Sequence, residues 1–361
     1  MSVLGFGCMR FTTKEQGGDH VIVEDEAIGM LRHAIDNGVN YIDTAYPYHD
    51  GKSEPLVGKA LKDGYREKVF LATKSPVFSI QKEDDFERFL EEQLRKLETQ
   101  AIDYYLLHTL NRNFWENVVL KFHLLDKMER AKAKGQIRHI GFSFHDEYSV
   151  FQDIVDGYDG WEFCQIQLNY IDLEHQAGLK GLHYAAQKGL GVIIMEPLLG
   201  GKLAVPPVQL AKVLPEHRTP VEWALDFLWN LPQVGPVLSG MSTMQQVEQN
   251  LEYASRAQAG MLTKEDTDML LHARHVYQNM ALVPCTKCQY CMPCPFGLDI
   301  PGIYEIYNST ACGPVEPAIQ RYEKLEKKAA DCTQCGQCLA QCPQAIDPVE
   351  HMAAAARFFE K

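Results

Sequence analysis

The chain has 361 residues, of which 46% are apolar and 23% are charged, as in an ordinary soluble globular protein. Its formal net charge of −13 argues against nucleic acid as a partner, because phosphate binding needs a basic surface. No run approaches the ~18 to 20 apolar residues of a membrane span, and the start lacks the basic region of a secretion signal, so we expect a cytoplasmic protein without a membrane partner.

Strand and helix patterns alternate along most of the chain. Amphipathic helices are predicted at residues 24–37 and 85–97. Strands are predicted at residues 4–8, from residue 41, and at residues 69–74, 103–108, 137–144, 163–170, 192–195 and 237–240. Eight such units in about 250 residues predict an α/β fold, a (β/α)8 TIM barrel. Gly5 and Gly7 do not extend to Gly-x-Gly-x-x-Gly, so the fingerprint of the doubly wound dinucleotide fold is absent.

Three of these strands end in polar, reactive side chains. The stretch Tyr41–Tyr48 begins as an apolar strand and ends in a turn, and it carries Asp43 and Tyr48. The next two strands close with Lys74 and His108. A parallel barrel presents catalytic groups from its strand ends at one face. We therefore expect these four side chains to surround one mouth.

The four side chains have the chemistry needed to reduce a carbonyl to an alcohol. A tyrosine hydroxyl has a pKa near ~10, and a nearby ammonium lowers it. Lys74, held by Asp43, would make Tyr48 a usable general acid or base. His108 would orient the substrate oxygen that Tyr48 protonates. Each residue taken singly is more often structural, so the inference comes from the set.

The order of the motifs resembles that of the aldo-keto reductase family. Asp-Thr-Ala-x-x-Tyr at Asp43–Tyr48 matches the family's second-strand motif. The other matching segments follow in the family's order: Ser53–Gly58, Ala72–Lys74, Leu106–His108 and Gly135–Ser143. The resemblance runs from about residue 4 to residue 251. It implies a barrel oxidoreductase with a nicotinamide cofactor, in which Tyr48 is the acid, Lys74 and Asp43 tune it, and His108 orients the substrate.

The resemblance also implies a set of cofactor contacts at strand ends and in the last loops. These are Met9, Ser143, Gln165, Leu198, Gly200, Ser239, Gly240, Ser242, Gln246 and Asn250. The sequence departs from the family where Phe144 replaces the asparagine after Ser143 and where Met195 replaces a stacking tyrosine. Loop 239–250 has no Lys or Arg, and a 2′-phosphate normally needs a basic partner. NADH and NADPH are therefore both left open, and so is a flavin.

Basic and aromatic residues near the predicted mouth have alternative interpretations. Arg10 follows the first strand and is either an anion contact or part of a surface salt bridge. Arg112, Phe114 and Trp115 in the loop after His108 hint at an anionic or aromatic ligand, or the two aromatic residues pack under the second domain. The hairpin that usually precedes the first strand in the family, and covers the barrel floor, is missing.

Nine of the eleven cysteines fall between Cys285 and Cys342, and such density without an export signal indicates metal binding rather than disulfides. Eight of these nine form two motifs, the first of Cys285, Cys288, Cys291 and Cys294, and the second of Cys332, Cys335, Cys338 and Cys342. The second motif has the bacterial ferredoxin spacing and the first is one residue shorter. Both end in Cys-Pro.

In two-cluster ferredoxins the Cys-Pro thiolate binds the neighbouring cluster. By that rule Cys342 joins the first three thiolates of the first motif, and Cys294 joins those of the second. Two [4Fe–4S] clusters are therefore expected. Zinc and disulfides are weaker alternatives, and the short first motif leaves open that only one cluster assembles. Cys312 lies outside both motifs, and we expect a small buried residue there.

These features predict three segments. A barrel is expected at residues 1–255, a connecting helix at 256–284, and a small, mostly helical ferredoxin-like domain at 285–361. A family branch with such a ferredoxin tail resembles this arrangement.

Three functions fit the two halves, because a nicotinamide transfers two electrons and a cluster one. In the first, the barrel reduces a small carbonyl substrate, or oxidises the alcohol, while the clusters exchange electrons with it, a flavin, or a partner ferredoxin or flavodoxin. In the second, the reductase depends on nicotinamide alone and the clusters are structural. In the third, the chain is a non-catalytic electron-transfer subunit. The chain retains all four members of the predicted catalytic tetrad, which argues against the third function. The tetrad consists of Asp43, Tyr48, Lys74 and His108.

Overall fold

The computed structural model describes residues 1–285, 287–311, 313–343 and 346–360. The chain divides into two compact units, one of residues 1–200 and 221–264, the other of residues 201–220 and 265–361. No pattern in the sequence indicated that residues 201–220 belong to the second unit. The domain boundaries at 255 and 285 stay a prediction, and the expectation for Cys312 lies outside the described residues.

The first unit is built on a closed parallel barrel, as predicted. Its ten strands are β1 (Leu4–Gly7), β2 (Thr13–Gln16), β3 (Asp19–Ile22), β4 (Tyr41–Asp43), β5 (Phe70–Ser75), β6 (Ile102–Leu110), β7 (Ile137–Phe144), β8 (Phe163–Gln167), β9 (Gly191–Met195) and β10 (Val237–Ser239). The barrel order is β1-β10-β9-β8-β7-β6-β5-β4, and β4 pairs back with β1. The exposed strands β2 and β3 form a separate antiparallel hairpin that the sequence analysis did not include.

Alternation along the strands sorts side chains between the barrel interior and the helix layer. A buried interior cluster, with Tyr104 packed against it, consists of Tyr41, Ala72, Leu106, Phe163, Ile193 and Leu238. The Tyr41 and Tyr104 rings meet edge-on at 5.4 Å, and Tyr104 and Phe163 at 5.0 Å. Two residues further along β4 and β5, the same inward side carries Asp43 and Lys74. Large aromatic side chains therefore fill the interior beneath the predicted mouth.

Helices surround the barrel and form the second unit. They are α1 (Glu24–Asp36), α2 (Ser53–Ala60), α3 (Asp85–Lys96), α4 (Arg112–Phe114), α5 (Leu124–Ala133), α6 (Tyr148–Asp156), α7 (Gly178–Gln187), α8 (Val208–Ala211), α9 (Pro220–Trp229), α10 (Met244–Ser255), α11 (Lys264–Gln278), α12 (Ile300–Ser309), α13 (Val315–Glu323) and α14 (Pro348–Phe359). A π-helical turn, Trp115–Leu120, follows α4 directly. None of the helices described is both long and apolar enough to cross a bilayer.

The cysteine-rich part of the second unit has a small core of its own. Helices α12, α13 and α14 bury Ile303, Tyr304, Tyr322, Met352 and Ala355 in it. Two helix starts are capped by aspartates, since the Asp299 carboxylate accepts a hydrogen bond from Gly302 N at 3.0 Å and that of Asp347 from Val349 N at 2.9 Å. Six of the eight motif cysteines pack against this core.

Candidate active site and thiol cavities

Lys74 is the centre of the predicted tetrad. Its ammonium is fully buried and donates to Asp43 Oδ1 at 2.6 Å, to the Thr44 carbonyl at 2.8 Å and to the Tyr48 hydroxyl at 3.4 Å. Asp43 is 2% exposed, so the ion pair lies in a dry environment where charge–charge attraction is strong. The structure thus brings together three of the four residues by direct hydrogen bonds.

A tight turn fixes the backbone of Tyr48. Tyr48 N donates to Ala45 O at 3.1 Å, and both Gly51 N and Ser53 N donate to Tyr48 O at 3.2 Å. His49 and Asp50, which come next, adopt left-handed backbone conformations with φ of 51° and 53°. Such conformations are strained outside glycine and are typical of functional loops. The ring of Tyr48 lies edge-on to that of the fourth residue, His108, with centroids 6.2 Å apart.

The electrostatics of the tetrad differ in one respect from the expectation. Burial works against the Lys74 ammonium, but Asp43 and Tyr48 together raise the pKa of Lys74, so it stays protonated. Burial raises the pKa of Tyr48, and Lys74 offsets this only in part. The net direction for Tyr48 is therefore upward, because the phenol is desolvated as well as paired. At neutral pH it is a protonated phenol.

His108 is a neutral imidazole inside the mouth. Burial, with smaller contributions from Lys74 and His145, lowers the pKa of His108 well below its ordinary value. Its ring packs against Phe78 at 5.7 Å. Within the described residues, His108 Nδ1 is buried without a hydrogen-bond partner. A buried polar atom with no partner is costly, so a ligand atom at this place would be favourable.

A buried polar network that the sequence analysis missed supports the backbone of Lys74. The side-chain amide of Gln93 on α3 donates to Lys74 O at 3.0 Å and to Glu54 Oε1 at 2.6 Å. Thr73 Oγ1 also donates to Glu54, and Tyr105 OH donates to Gln93 Oε1, both at 2.8 Å. The only sequence signal for this network was Glu54, which lies in the segment Ser53–Gly58 that resembles the aldo-keto reductase family.

Two residues predicted to contact the nicotinamide lie opposite each other on the adjacent strands β7 and β8, with hydrogen-bonding capacity left over. Ser143 Oγ on β7 accepts from Thr109 N at 2.7 Å, which leaves its own proton free to donate. Gln165 Nε2 on β8 donates to Met195 Sδ at 3.5 Å. Gln165 is 2% exposed, and its Oε1 finds no partner in the part of the chain described. Both groups fit a primary amide, which needs one donor and one acceptor.

The remaining predicted contacts lie after β9, between the end of β10 and the middle of α10, and directly after β1. Asn250 Nδ2 donates to Ser239 Oγ at 2.9 Å, and Ser242 N donates to Gln246 Oε1 at 2.8 Å. Gly200 and Gly240 are exposed and both lie next to Arg10. For Met9, which is exposed, and Leu198, which is half-buried, the structure adds only their position.

The three residues after His108 that suggested an anionic or aromatic ligand have partners within the first unit, so the ligand stays a prediction. Arg112 forms ion pairs with Asp153 at 2.8 Å and Glu116 at 3.3 Å, so its charge is used within the first unit. Trp115 is buried in the barrel core, where its ring lies 6.4 Å from that of Trp161. Phe114 packs against the same core.

The eight motif cysteines line two cavities in the second unit. The first cavity is lined by Cys285, Cys288, Cys291 and Cys342. The second cavity is lined by Cys294, Cys332, Cys335 and Cys338. Each cavity therefore combines three thiols of one motif with the Cys-Pro thiol of the other, the pairing that ferredoxin spacing predicts. Ile300 and Pro348 line both cavities.

The thiol cavities suit an iron–sulfur cluster better than a single ion. Among the residues described, no three His, Cys, Asp or Glu side chains are arranged to hold one metal ion; the thiols are spread around cavity walls instead. Burial, with neighbouring thiols, raises the pKa of Cys291 and Cys338. A cationic centre reverses that preference and keeps clustered thiols deprotonated. The donor set and its spacing fit two clusters.

Comparison with known proteins gives two family matches. The model described as "Aldo/keto reductase family" matches residues 3–270, and the model described as "4Fe-4S dicluster domain" matches residues 284–347. The first match covers the barrel with its predicted tetrad, and the second covers all eight cavity cysteines.

Several proteins similar to this chain are named as oxidoreductases or aldo-keto reductases. "Uncharacterized oxidoreductase YqkF" of Bacillus subtilis (strain 168) is 25% identical over 313 residues, which cover 75% of this chain and 92% of that protein. "Aldo-keto reductase AFTS1" of Alternaria alternata is 28% identical over 53% of this chain, and the match spans only 60% of AFTS1. The aldo/keto reductase from Klebsiella pneumoniae, solved in complex with NADP and acetate, is 24% identical with a TM-score of 0.60, covering 74% of this chain and 89% of that one. At this identity the likeness shows the fold.

Proposed function

Because the chain belongs to the aldo/keto reductase family, we propose that its barrel reduces the carbonyl group of an aldehyde or ketone to an alcohol, or catalyses the reverse reaction. One observation carries this proposal. A buried Lys74 ammonium bridges the Asp43 carboxylate and the Tyr48 hydroxyl, and the His108 ring, whose Nδ1 has no partner within the described residues, lies edge-on to the Tyr48 ring. The arrangement has a proton donor, a fixed positive charge and an orienting imidazole at one place.

In the reductive direction Tyr48 gives its proton to the carbonyl oxygen. The phenolate left behind lies next to Lys74, whose charge is held in place by Asp43, and so the product state of the transfer is stabilised. Neutral His108 offers a hydrogen bond to the same oxygen and fixes its direction. In the oxidative direction the phenolate takes the proton back.

The cofactor proposed for the barrel is a nicotinamide dinucleotide. Bound beside the tetrad, it supplies the hydride that the carbonyl carbon accepts. Ser143 and Gln165 would hold its carboxamide, because one presents a free hydroxyl proton and the other a buried oxygen without a partner in the residues described. NADP in the Klebsiella pneumoniae enzyme is consistent with this class of cofactor and leaves the choice between NADH and NADPH to measurement.

We propose that the second unit holds two [4Fe–4S] clusters, one on each set of four cavity thiols. Bound there, such clusters supply one-electron transfer. Cys288 and Cys335 are exposed at the surface, so a small redox protein such as a ferredoxin or flavodoxin could approach either cavity. The alternative is a reductase that uses nicotinamide alone and carries clusters for structure.

One experiment tests the proposal and separates the alternatives. Protein purified without oxygen is analysed for iron, sulfide, flavin and nicotinamide, and is then offered a panel of aldehydes and ketones with NADH, with NADPH, or with chemically reduced clusters and no nicotinamide. Turnover with nicotinamide, independent of cluster oxidation state, favours structural clusters. Turnover with reduced clusters alone favours electron transfer. A protein that reduces no carbonyl under any condition contradicts the proposal.

A further inference from the structure

Arg10 is an exposed cation without a partner beside the predicted cofactor loops. It follows β1, at the carboxyl end of the barrel where the tetrad lies. In the part of the chain described, its guanidinium forms no hydrogen bond or ion pair, whereas the similarly exposed Arg112 is paired twice. The chain is acidic as a whole, so a guanidinium at the mouth of the barrel that pairs with no carboxylate in the described residues has its charge available to a ligand.

The backbone around Arg10 is tied to the last loop of the barrel. Ser242 Oγ donates to the carbonyl of Arg10 at 2.6 Å, and Thr12 Oγ1 donates to the carbonyl of Ser242. These two bonds join residues more than two hundred positions apart. They fix the backbone of Arg10 relative to the last loop of the barrel, and so they limit where its side chain can lie.

The side chain of Arg10 lies across two glycines. A Cβ at residue 240 would be 3.1 Å from Arg10 Cγ and 3.4 Å from Cδ, so the stem runs along the backbone of Gly240. A Cβ at residue 200 would be 3.9 Å from Arg10 Nη2, so the guanidinium end reaches Gly200. Glycine at both positions leaves the room that the arginine and a ligand need.

One carboxylate lies close to this guanidinium. Glu196 Oε2 is 3.7 Å from the same point above Gly200, yet Glu196 and Arg10 form no ion pair within the described chain. Its charge weakens the attraction for an anion without cancelling it, because a group in direct contact with Arg10 gains hydrogen bonds that the more distant carboxylate does not oppose.

We propose that Arg10 binds the diphosphate of the nicotinamide dinucleotide. The inference rests on the proposed cofactor. Gly200 and Gly240 belong to the same predicted set of cofactor contacts as Ser143 and Gln165, so a dinucleotide with its carboxamide at Ser143 and Gln165 would bring its diphosphate to the two glycines. Among the contacts described, Arg10 is the one basic side chain that lies against both glycines, and its guanidinium matches phosphate oxygens with two parallel N–H donors. Arg10 therefore supplies the positive charge that loop 239–250 lacks.

The test is nucleotide affinity measured by calorimetry on anaerobically purified, cluster-loaded protein. Arg10→Gln should weaken NADH and NADPH binding by about the same factor, tenfold or more, since a charged hydrogen bond is worth roughly 1.5–3 kcal/mol. Arg10→Lys should recover part of the affinity, because it keeps the charge and loses the paired donors. The matched control is Lys14→Gln, which removes an equally exposed positive charge on β2 and should leave both affinities unchanged.

Each other outcome overturns the inference in a distinct way. Equal affinities in wild type and Arg10→Gln would show that the guanidinium contacts no phosphate. Loss of NADPH affinity alone would assign Arg10 to the 2′-phosphate instead. An equal loss of nucleotide affinity in Lys14→Gln would show that the effect comes from the overall charge of the protein and not from a contact made by Arg10. If wild-type protein binds neither nucleotide, the proposed cofactor itself fails, and this result is separate from all three.

Discussion

The barrel and the cysteine-rich unit present their reactive groups in opposite ways. In the barrel, Lys74 is fully buried and three hydrogen bonds from its ammonium reach protein atoms. In the second unit, the thiols are exposed or half-buried and line cavities whose other walls are mainly apolar. The barrel site is therefore organised by the protein itself, whereas the thiol sites are completed by what they bind.

The difference extends to stability. The barrel core runs through the whole first unit, but the core around α12, α13 and α14 is small, and the cysteines themselves pack against it. Small domains with limited cores usually depend on metal or disulfide links, and metal binding then contributes directly to folding. We expect the two units to respond independently to substitutions in each, and four measurements examine this.

The largest effect is expected from Tyr48→Phe. It removes the proposed general acid, which typically contributes about 10² to 10⁴ in rate, so kcat/KM for carbonyl reduction should fall by that factor. The iron content and visible absorbance should not change, because Tyr48 lies in the other unit. Tyr46→Phe is the control, since the Tyr46 hydroxyl contacts Glu92 rather than Lys74. Activity that survives Tyr48→Phe would contradict the assignment of the tetrad.

Lys74→Met should damage the barrel next. It leaves the Asp43 carboxylate buried without its cation, a loss that costs about 3–5 kcal/mol in comparable buried pairs. Lys59→Met removes the exposed pair with Glu24 and should cost no more than ~1 kcal/mol. Denaturant unfolding followed by barrel fluorescence measures both. Equal costs would mean that the ion pair at Lys74 is not the buried anchor that the geometry indicates.

Cys338→Ser examines the second unit. With one ligand of the second cavity gone, bound iron should fall by about half, and amides of α12 and α14 should exchange with deuterium at least ~10-fold faster because local stability is lost. The neighbouring exposed Gln337→Ser is the control. Barrel amides should keep their protection in both variants. Faster exchange throughout the barrel would show that the two units are not independent.

The smallest effect is expected from pH. Carbonyl reduction needs protonated Tyr48, whose pKa is raised above its ordinary value near ~10, so kcat/KM should decline only in strongly alkaline solution. His108 has a pKa well below its ordinary value and should add no change near pH 6.5. A flat profile between about pH 7 and 9 is the expected outcome. A decline centred near pH 7 would mean that Tyr48 is a much stronger acid than its burial allows.

Much of the fold was readable because strand and helix periodicity is local. Helix α1 ends one residue before its predicted end, and β7 has its predicted bounds. The β2–β3 hairpin was missed although Gly17-Gly18 is a turn signal, because its strands are polar and exposed and give no alternation. Residues 201–220 could not be assigned to the second unit, because that assignment depends on tertiary contacts.

The four residues of the candidate site could be predicted from the sequence, whereas the buried hydrogen-bond network that holds Lys74 could not. Asp43, Tyr48, Lys74 and His108 could be found because each lies near the carboxyl end of a strand or in the turn that follows it, and parallel strands end at one face. The link from Gln93 to Glu54 joins positions 39 apart on different helices, and no spacing rule predicts such a pair. The predicted direction of the Tyr48 pKa shift was wrong, because the shift depends on the burial of the phenol as well as on the neighbouring Lys74. Burial cannot be read from the spacing of residues along the chain.

The exchange of the fourth thiol between motifs has a consequence for biosynthesis. The first cavity needs Cys342, and the second needs Cys332, Cys335 and Cys338 together with Cys294. On the ribosome, neither set is complete until the second motif has emerged, long after the barrel strands have been made. If the proposed clusters form on these two sets, iron delivery is a late event, and a chain stalled before Cys332 would carry a finished barrel while both sets of four cavity thiols are still incomplete.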